Sequence, residues 1–476
     1  MSIFGKRSII APLLISAFVL FSPYLMPDFS PEKMGRPSLY QDLTRKIINL
    51  GLREGKAYDI LKRITSVGPR LTGSPQADEA VKLIQQEMHS LGFDCVHLEP
   101  TRVRHWVPGT VMQAQVLSRI LVNQSLNICP IGGSVATPPD GITAEVLEVK
   151  SFDELHRVHE KAKGKIIFFN RAMDPTLLDT FRAYGGAAEQ RVRGAAEAAK
   201  AGGTAALVRS LTTSLDDYPH TGLMCYDPQV SKIPAVCVST RGADLLSEAL
   251  GKDPSLTVNI KLDCREFEPV ISHNVIGQIT GMEKPEEIVL IGGHLDSWFL
   301  GTGAHDDGAG CAHAVEALRL IKEAGLKPKR TIRAVLFMDE ENGGTGGRDY
   351  AQAESRKLEI HIAAIESDRG GFVPLGFGIG GSPQAVKYLQ QWEVLFKQLG
   401  MCWLRAGGGG VDIAPLAEQG TVTIGLVPDC QKYFDFHHCG RDVLEAVHPR
   451  ELELGAIAMA ILAYLIAQEG VNGISP

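Results

Sequence analysis

The sequence predicts an α/β protein, a mixed central sheet flanked by helices and interrupted by an inserted β-rich module. Three observations predict it. From Asn274 onward, short apolar runs alternate with stretches of helical spacing. Between about Val111 and Val270 that alternation gives way to short β-rich runs. Residue types that bind metals recur just after successive later runs, where the loops of an open sheet converge.

At 476 residues the chain exceeds one small core, so two domains are expected. Its composition is 44% hydrophobic and 22% charged with mean hydropathy +0.01, as in soluble globular chains. The formal net charge is -7 and the pI about 6.1, and no basic run is dense enough for a nucleic-acid partner. Lys6 and Arg7 precede an uncharged run from Ile9 to Met26, which reads as an export signal over residues 1–27. That run approaches the ~17–25 residues needed to span a bilayer, so a retained signal anchor is the alternative. The chain is therefore expected to be periplasmic, secreted or lumenal, or anchored by this segment. Nine cysteines permit disulfides in such a compartment, and the odd count leaves at least one unpaired within the chain. No C-x-x-C occurs, which argues against a cysteine-rich zinc knuckle.

The elements follow in order. Ser38 to Leu52 and Tyr58 to Val67 carry helical spacing, and residues 68–75 (GPRLTGSP) form a loop. Gln76 to Leu91 is an amphipathic helix with Ala80, Val81, Ile84, Met88 and Leu91 on one face and Gly92 as its stop. The expected strands of the β-rich module are Ile142–Val149, Lys165–Phe169, Ala205–Val208, Ile233–Val238 and Leu256–Leu262, with one helix near Ala187–Ala201. In the last part, strands are expected at Glu287–Gly292, Thr331–Phe337, Ile360–Ile365 and Thr421–Leu426. Helices are expected near Gly310–Ala324, Gly346–Arg356 and Pro383–Leu399, with a final one from Pro449 to about Ala467. The expected limits are 28–115 for the N-terminal part of the catalytic domain, 116–270 for the insert and 271–476 for the rest.

The segment 291–310 (IGGHLDSWFLGTGAHDDGAG) holds His294, Asp296, Asp306 and Asp307 in one glycine-rich loop. Glu340 and Glu341, Asp368, and His437 and His438 follow at later strand ends. Taken singly, each reads blandly: a solvated acidic pair, a satisfied histidine, a helix start favoured by the dipole. Recurring after successive strands, they predict one site for two neighbouring divalent metals, with zinc the expected ion. Two dications a few ångströms apart need an anion between them, and Asp306 is the expected bridge. Asp296, two residues beyond His294, is better placed to orient that imidazole than to bind metal. Successive side chains point apart in extended chain, so one of Glu340 and Glu341 ligates while the other serves as general base.

These motifs resemble the co-catalytic di-zinc exopeptidases, within them most closely the carboxypeptidase Q branch. The resemblance covers about residues 38–468 and rests on GPRLTGS (68–74), GGHLDSW (292–298), GAHDDGAG (303–310), DEENGGTGG (339–347), ESDRGG (366–371), GVDIAP (410–415) and YFDFHHCGRD (433–442). It implies His294 and Asp368 on one zinc, Glu341 and His438 on the other, Asp306 between them, Glu340 as general base and Asp296 behind His294. His438 is favoured over His437 because the family histidine is followed four residues later by an aspartate, here Asp442. A cis Asp306–Asp307 peptide is implied too, and the insert resembles a protease-associated domain. Arg369 and Cys439 depart from the family pattern without removing a ligand. The implied activity is hydrolysis of dipeptides or short peptides, with two Zn2+ per chain, and since relatives are often dimers a homodimer is the implied partner state. An aminopeptidase acting on longer peptides, a glutaminyl cyclase-type acyltransferase and an inactive receptor-like module are the competing expectations. Neither G-x-S-x-G nor a placed Cys–His pair supports a serine or cysteine hydrolase.

Overall fold

The computed structural model describes residues 37–121 and 124–471, so the expected export segment lies outside the described residues. Two eight-stranded sheets organise them. In lateral order the first is Asp94–Val107, Arg265–Ile279, Arg330–Phe337, Lys284–His294, Ile360–Glu366, Val422–Pro428, Pro374–Ile379 and Trp403–Ala406. Its four central strands, from Arg330–Phe337 to Val422–Pro428, run parallel. They match the four expected strands to within two residues at each end, apart from Lys284–His294, which starts three residues earlier. Their carboxyl ends therefore lie side by side at one edge, and a parallel sheet with short strands leaves a crevice there.

Both faces of this sheet are covered, as near-continuous apolar strands require. Val289 and Ile291 face one core, shared with helices Gln41–Glu54, Ala57–Ser66, Pro75–Ser90, Ala309–Glu323 and Pro449–Glu469. Leu290 faces the opposite core, with Val335, Phe337, Tyr350 and Leu416. Pro449–Glu469 is apolar and long enough to cross a membrane, yet 83% of its apolar window is buried in this core. It packs on Ala309–Glu323 at Gly455, where a Cβ would lie 2.4 Å from His313 Nε2.

The second sheet is built from residues between Met112 and Leu262. Its strands Ile142–Val149, Ile166–Phe169, Ala205–Arg209 and Ala235–Val238 are parallel. Helix Thr180–Lys200 packs on one face and Thr240–Lys252 on the other. This region is thus richer in helix than expected. Thr180–Lys200 starts ahead of the expected Ala187 because the Asp179 carboxylate accepts from the Phe181 and Arg182 amides, overcoming the poor propensity of Gly185 and Gly186. Thr240–Lys252 went unpredicted, although Ser239 caps it and Ala243, Leu246 and Ala249 line its buried face.

Two long strands were also unpredicted. Asp94–Val107 pairs antiparallel with Arg265–Ile279, from Asp94↔Gln278 to Val107↔Arg265. Their mixed polar and apolar composition suits a sheet edge and hides the period of two. The chain changes sheet between Val107 and Met112 and again between Leu262 and Arg265, a few residues ahead of the expected 116 and 270.

Two glycines on helices make a matched test. A Cβ at Gly310 would lie 1.8 Å from the Ser367 carbonyl oxygen, whereas one at Gly185 meets nothing within 4 Å. Gly185→Ala should stabilise the protein by about 0.5–1 kcal/mol through helix propensity. Gly310→Ala should lower the melting temperature, both read by thermal unfolding against the parent.

Candidate active site

Each central strand delivers one part of the site just past its carboxyl end. Lys284–His294 ends on His294 itself. Arg330–Phe337 leads to Glu340 and Glu341, and Ile360–Glu366 leads to Asp368. Val422–Pro428 continues through the turn Cys430–Asp435 to His437 and His438. Asp306 comes from the loop after His294, immediately before helix Ala309–Glu323, and the Asp306–Asp307 peptide is cis.

These side chains converge. His294 Nε2 lies 3.3 Å from Asp306 Oδ1 and 3.5 Å from Asp368 Oδ1. His438 Nε2 lies 3.1 Å from Asp306 Oδ2 and 3.1 Å from Glu341 Oε2. Asp306 thus turns one oxygen to each half. His437 stacks on His438 with ring centroids 3.4 Å apart, and its Nε2 is 3.9 Å from Asp306 Oδ2. It is a second imidazole at the site, closer than a packing neighbour need be. Glu340 stands beside both halves, and among the described residues no hydrogen bond or ion pair restrains its carboxylate.

The orientation of each group has a cause. Asp307 Oδ2 accepts from the His294 amide at 3.1 Å and Oδ1 from the Gly310 amide at 2.9 Å, tying the strand end to the helix start. Asp442 accepts from the His305 amide at 2.7 Å and the Asp306 amide at 3.1 Å, fixing the central carboxylate's backbone. Trp298 Nε1 donates to Glu341 Oε2 at 2.7 Å. Arg70, fully buried, donates to the carbonyls of Leu295, Thr302 and Gly303 and so braces the loop between His294 and Asp306.

Asp296 meets the His294 ring through its backbone carbonyl, and its carboxylate has a different task from the one expected. Its carboxylate is 3.7 Å from His294 Nδ1, which instead meets the Asp296 carbonyl at 3.1 Å. Its oxygens accept from the amides of Asp339 (2.8 Å), Glu340 (3.2 Å) and Glu341 (3.3 Å) and from the Thr72 hydroxyl (2.7 Å). One buried carboxylate therefore sets the backbone that presents both glutamates. Arg70, Thr72, Trp298 and Asp442 were not assigned a positioning task from the sequence. The GPRLTGS motif and the tryptophan in GGHLDSW were the available signals.

The electrostatics call for cations. Burial pushes the Glu340 carboxyl well above the ordinary range, with repulsion from Asp368 and Glu341 adding to it. Burial and the Asp368 charge do the same to Asp307. Burial also opposes ionisation of Asp306, but the His294 and His438 imidazoles against its two oxygens override it and hold that carboxyl well below the usual range. His294 Nε2, Asp306 Oδ2 and Glu341 Oε1 are buried without a hydrogen-bond partner among the described residues. Orphaned buried ligand atoms on three residues of one cluster are what a metal would satisfy. Two imidazoles and three carboxylates suit a divalent ion of zinc's character.

Residues 274–464 match peptidase family M28. The chain is 36% identical to carboxypeptidase Q of Bos taurus over 432 residues, covering 90% of this chain and 89% of that protein. It is likewise 36% identical to carboxypeptidase Q of Homo sapiens over 430 residues, with coverage of 90% and 89%. Among solved structures, a peptidase M28 precursor from Shewanella amazonensis superposes with a TM-score of 0.86 at 34% identity, covering 91% of this chain and 98% of that one. A zinc aminopeptidase from Bacillus subtilis shares the fold at a TM-score of 0.61 and 20% identity, over 86% of this chain and 94% of that one.

The clamp makes a testable claim. Asp296→Asn replaces one accepting oxygen with a donor, which must oppose an amide or the Thr72 hydroxyl. Zinc affinity should fall by about 10–100-fold, the usual cost of losing a group that supports ligands. Titration of the metal-stripped variant against the parent checks this.

Proposed function

The chain belongs to peptidase family M28 and is a metallopeptidase, and from that premise we propose that it is a two-zinc exopeptidase acting on dipeptides or other short peptides. The observation that carries the proposal is the sharing of Asp306 between two half-sites, His294 with Asp368 and His438 with Glu341. These five residues would hold the ions. When bound, such a pair supplies Lewis acidity that lowers the pKa of a water towards ~7 and polarises a carbonyl.

The chain's own groups do the rest. Glu340, held at its backbone by Asp296 and unrestrained at its carboxylate, takes the proton of the attacking water. It then returns that proton to the leaving amine, so one carboxyl serves both steps. Trp298 keeps Glu341 turned towards His438 and away from Glu340's task. His438 takes the ligand role rather than His437. Its Nε2 is 3.1 Å from both carboxylates, and its Nδ1 meets the Thr221 carbonyl at 3.2 Å, so in the neutral imidazole that binds a metal Nδ1 carries the proton and Nε2 is the ligating nitrogen.

The substrate class is read from products of a dipeptide panel, run beside amino-acid nitroanilides and N-acylated peptides, with and without a chelator. Cleavage of free dipeptides that a chelator abolishes and zinc restores is the expected result, and efficient cleavage of N-acylated peptides would contradict it. Glu340→Gln should retain zinc while losing about 10²–10⁴-fold in kcat. A variant that keeps near-parental turnover would remove Glu340 from the mechanism.

A further inference from the structure

The His437–His438 turn is gripped by a loop from the second-sheet part of the chain. Thr221 N donates to the His438 carbonyl at 3.0 Å. The Thr221 carbonyl is 3.2 Å from His438 Nδ1, and His220 Nδ1 is 2.6 Å from the His437 carbonyl. Three hydrogen bonds thus join residues 220–221 to residues 437–438, and His438 sits between them with a left-handed φ of 61°. All four residues are buried.

The loop is itself held. The Thr221 hydroxyl donates to the Pro130 carbonyl at 2.7 Å, anchoring it to a strand of the second sheet. Arg191, on helix Thr180–Lys200, donates through Nη1 to the Thr221 carbonyl at 3.3 Å and through Nη2 to the Tyr184 hydroxyl at 2.7 Å. A carbonyl oxygen has two lone pairs, and this one receives one donor from Arg191 and one from His438. The next residue, Gly222, lets the guanidinium lie against the loop, since a Cβ there would be 2.4 Å from Arg191 Cζ. The Arg191 side chain is buried with no carboxylate within ion-pair distance among the described residues. An unpaired cation is costly to bury, and its contacts here are this carbonyl and the phenol.

We infer that the second-sheet part of the chain is a working component of the metal centre, with Arg191 the positioning residue that holds His438 through the Thr221 carbonyl. The inference rests on the reading of His438 as a ligand. Its consequence is selective. Arg191 should matter to the half-site of His438 and Glu341 and leave the half-site of His294 and Asp368 almost untouched, since the latter is braced by Asp307 and Asp296 instead.

Zinc titration of the metal-stripped full chain, followed by calorimetry, tests this, with visible absorption of the cobalt-substituted protein as a second readout. The parent should take two equivalents. Arg191→Met should keep one equivalent at parental affinity and bind the other about 10–100-fold more weakly. Its cobalt spectrum should lose one component. Tyr184→Phe, which removes only the hydroxyl steadying the other arm of Arg191, should weaken the same equivalent by less, and it decides the matter if Arg191→Met does not fold. Arg193→Met, an exposed position on the same helix, should leave both equivalents unchanged. A folded Arg191→Met or Tyr184→Phe with both affinities parental, or with both weakened alike, overturns the inference. A parent that takes fewer than two equivalents overturns the two-zinc reading beneath it.

Discussion

The structure turns on one buried carboxylate, Asp306, with an imidazole on each of its oxygens. A carboxylate so placed must be held against the repulsion of Asp307, Asp368 and Glu341 around it, and a large share of the surrounding architecture does this. Asp442 takes the successive amides of His305 and Asp306. Arg70 gathers three carbonyls of the loop that leads there. Glycine at 293 and 310 lets strand and helix close on Asp307, whose carboxylate oxygens would lie 2.3 Å from a Cβ at either position. The four parallel strands then bring ligand-type side chains far apart in sequence to one edge.

A division of labour follows. Groups that face the shared carboxylate are of ligand type, and groups one step behind them are hydrogen-bonded to backbone. Asp296 is the clearest case, because its carboxylate reaches the backbone of residues 339–341 and presents Glu340 and Glu341 at fixed places. A glutamate that must move a proton needs its carboxylate unrestrained and its backbone fixed, and Glu340 meets both conditions.

Much of this was legible in the sequence, and what was not had physical reasons. The central strands are buried on both faces, so their apolar runs stand out, and the acidic and histidine residues after them fall at predictable ends. The edge pair Asp94–Val107 and Arg265–Ile279 carries charged residues, His and Pro through its length, which conceals a strand from any periodicity argument. Helix Thr240–Lys252 was signalled only by the Ser239 cap and a short apolar stripe. The supporting residues were hardest to foresee. Arg70, Thr72 and Thr221 act on groups more than two hundred positions away, and Thr221 acts through a backbone atom that no side-chain motif encodes. His437 shows the same limit, since adjacency to His438 could not tell whether its ring would stack or turn away.

The central claim is that two metal ions share Asp306, one on each side. Anomalous diffraction at the zinc edge from crystals of the zinc-loaded protein tests it directly. Two peaks should flank the Asp306 carboxylate, one against His294 and Asp368 and the other against Glu341 and His438. A single peak, or a second peak ligated by His437 in place of His438, would contradict the account.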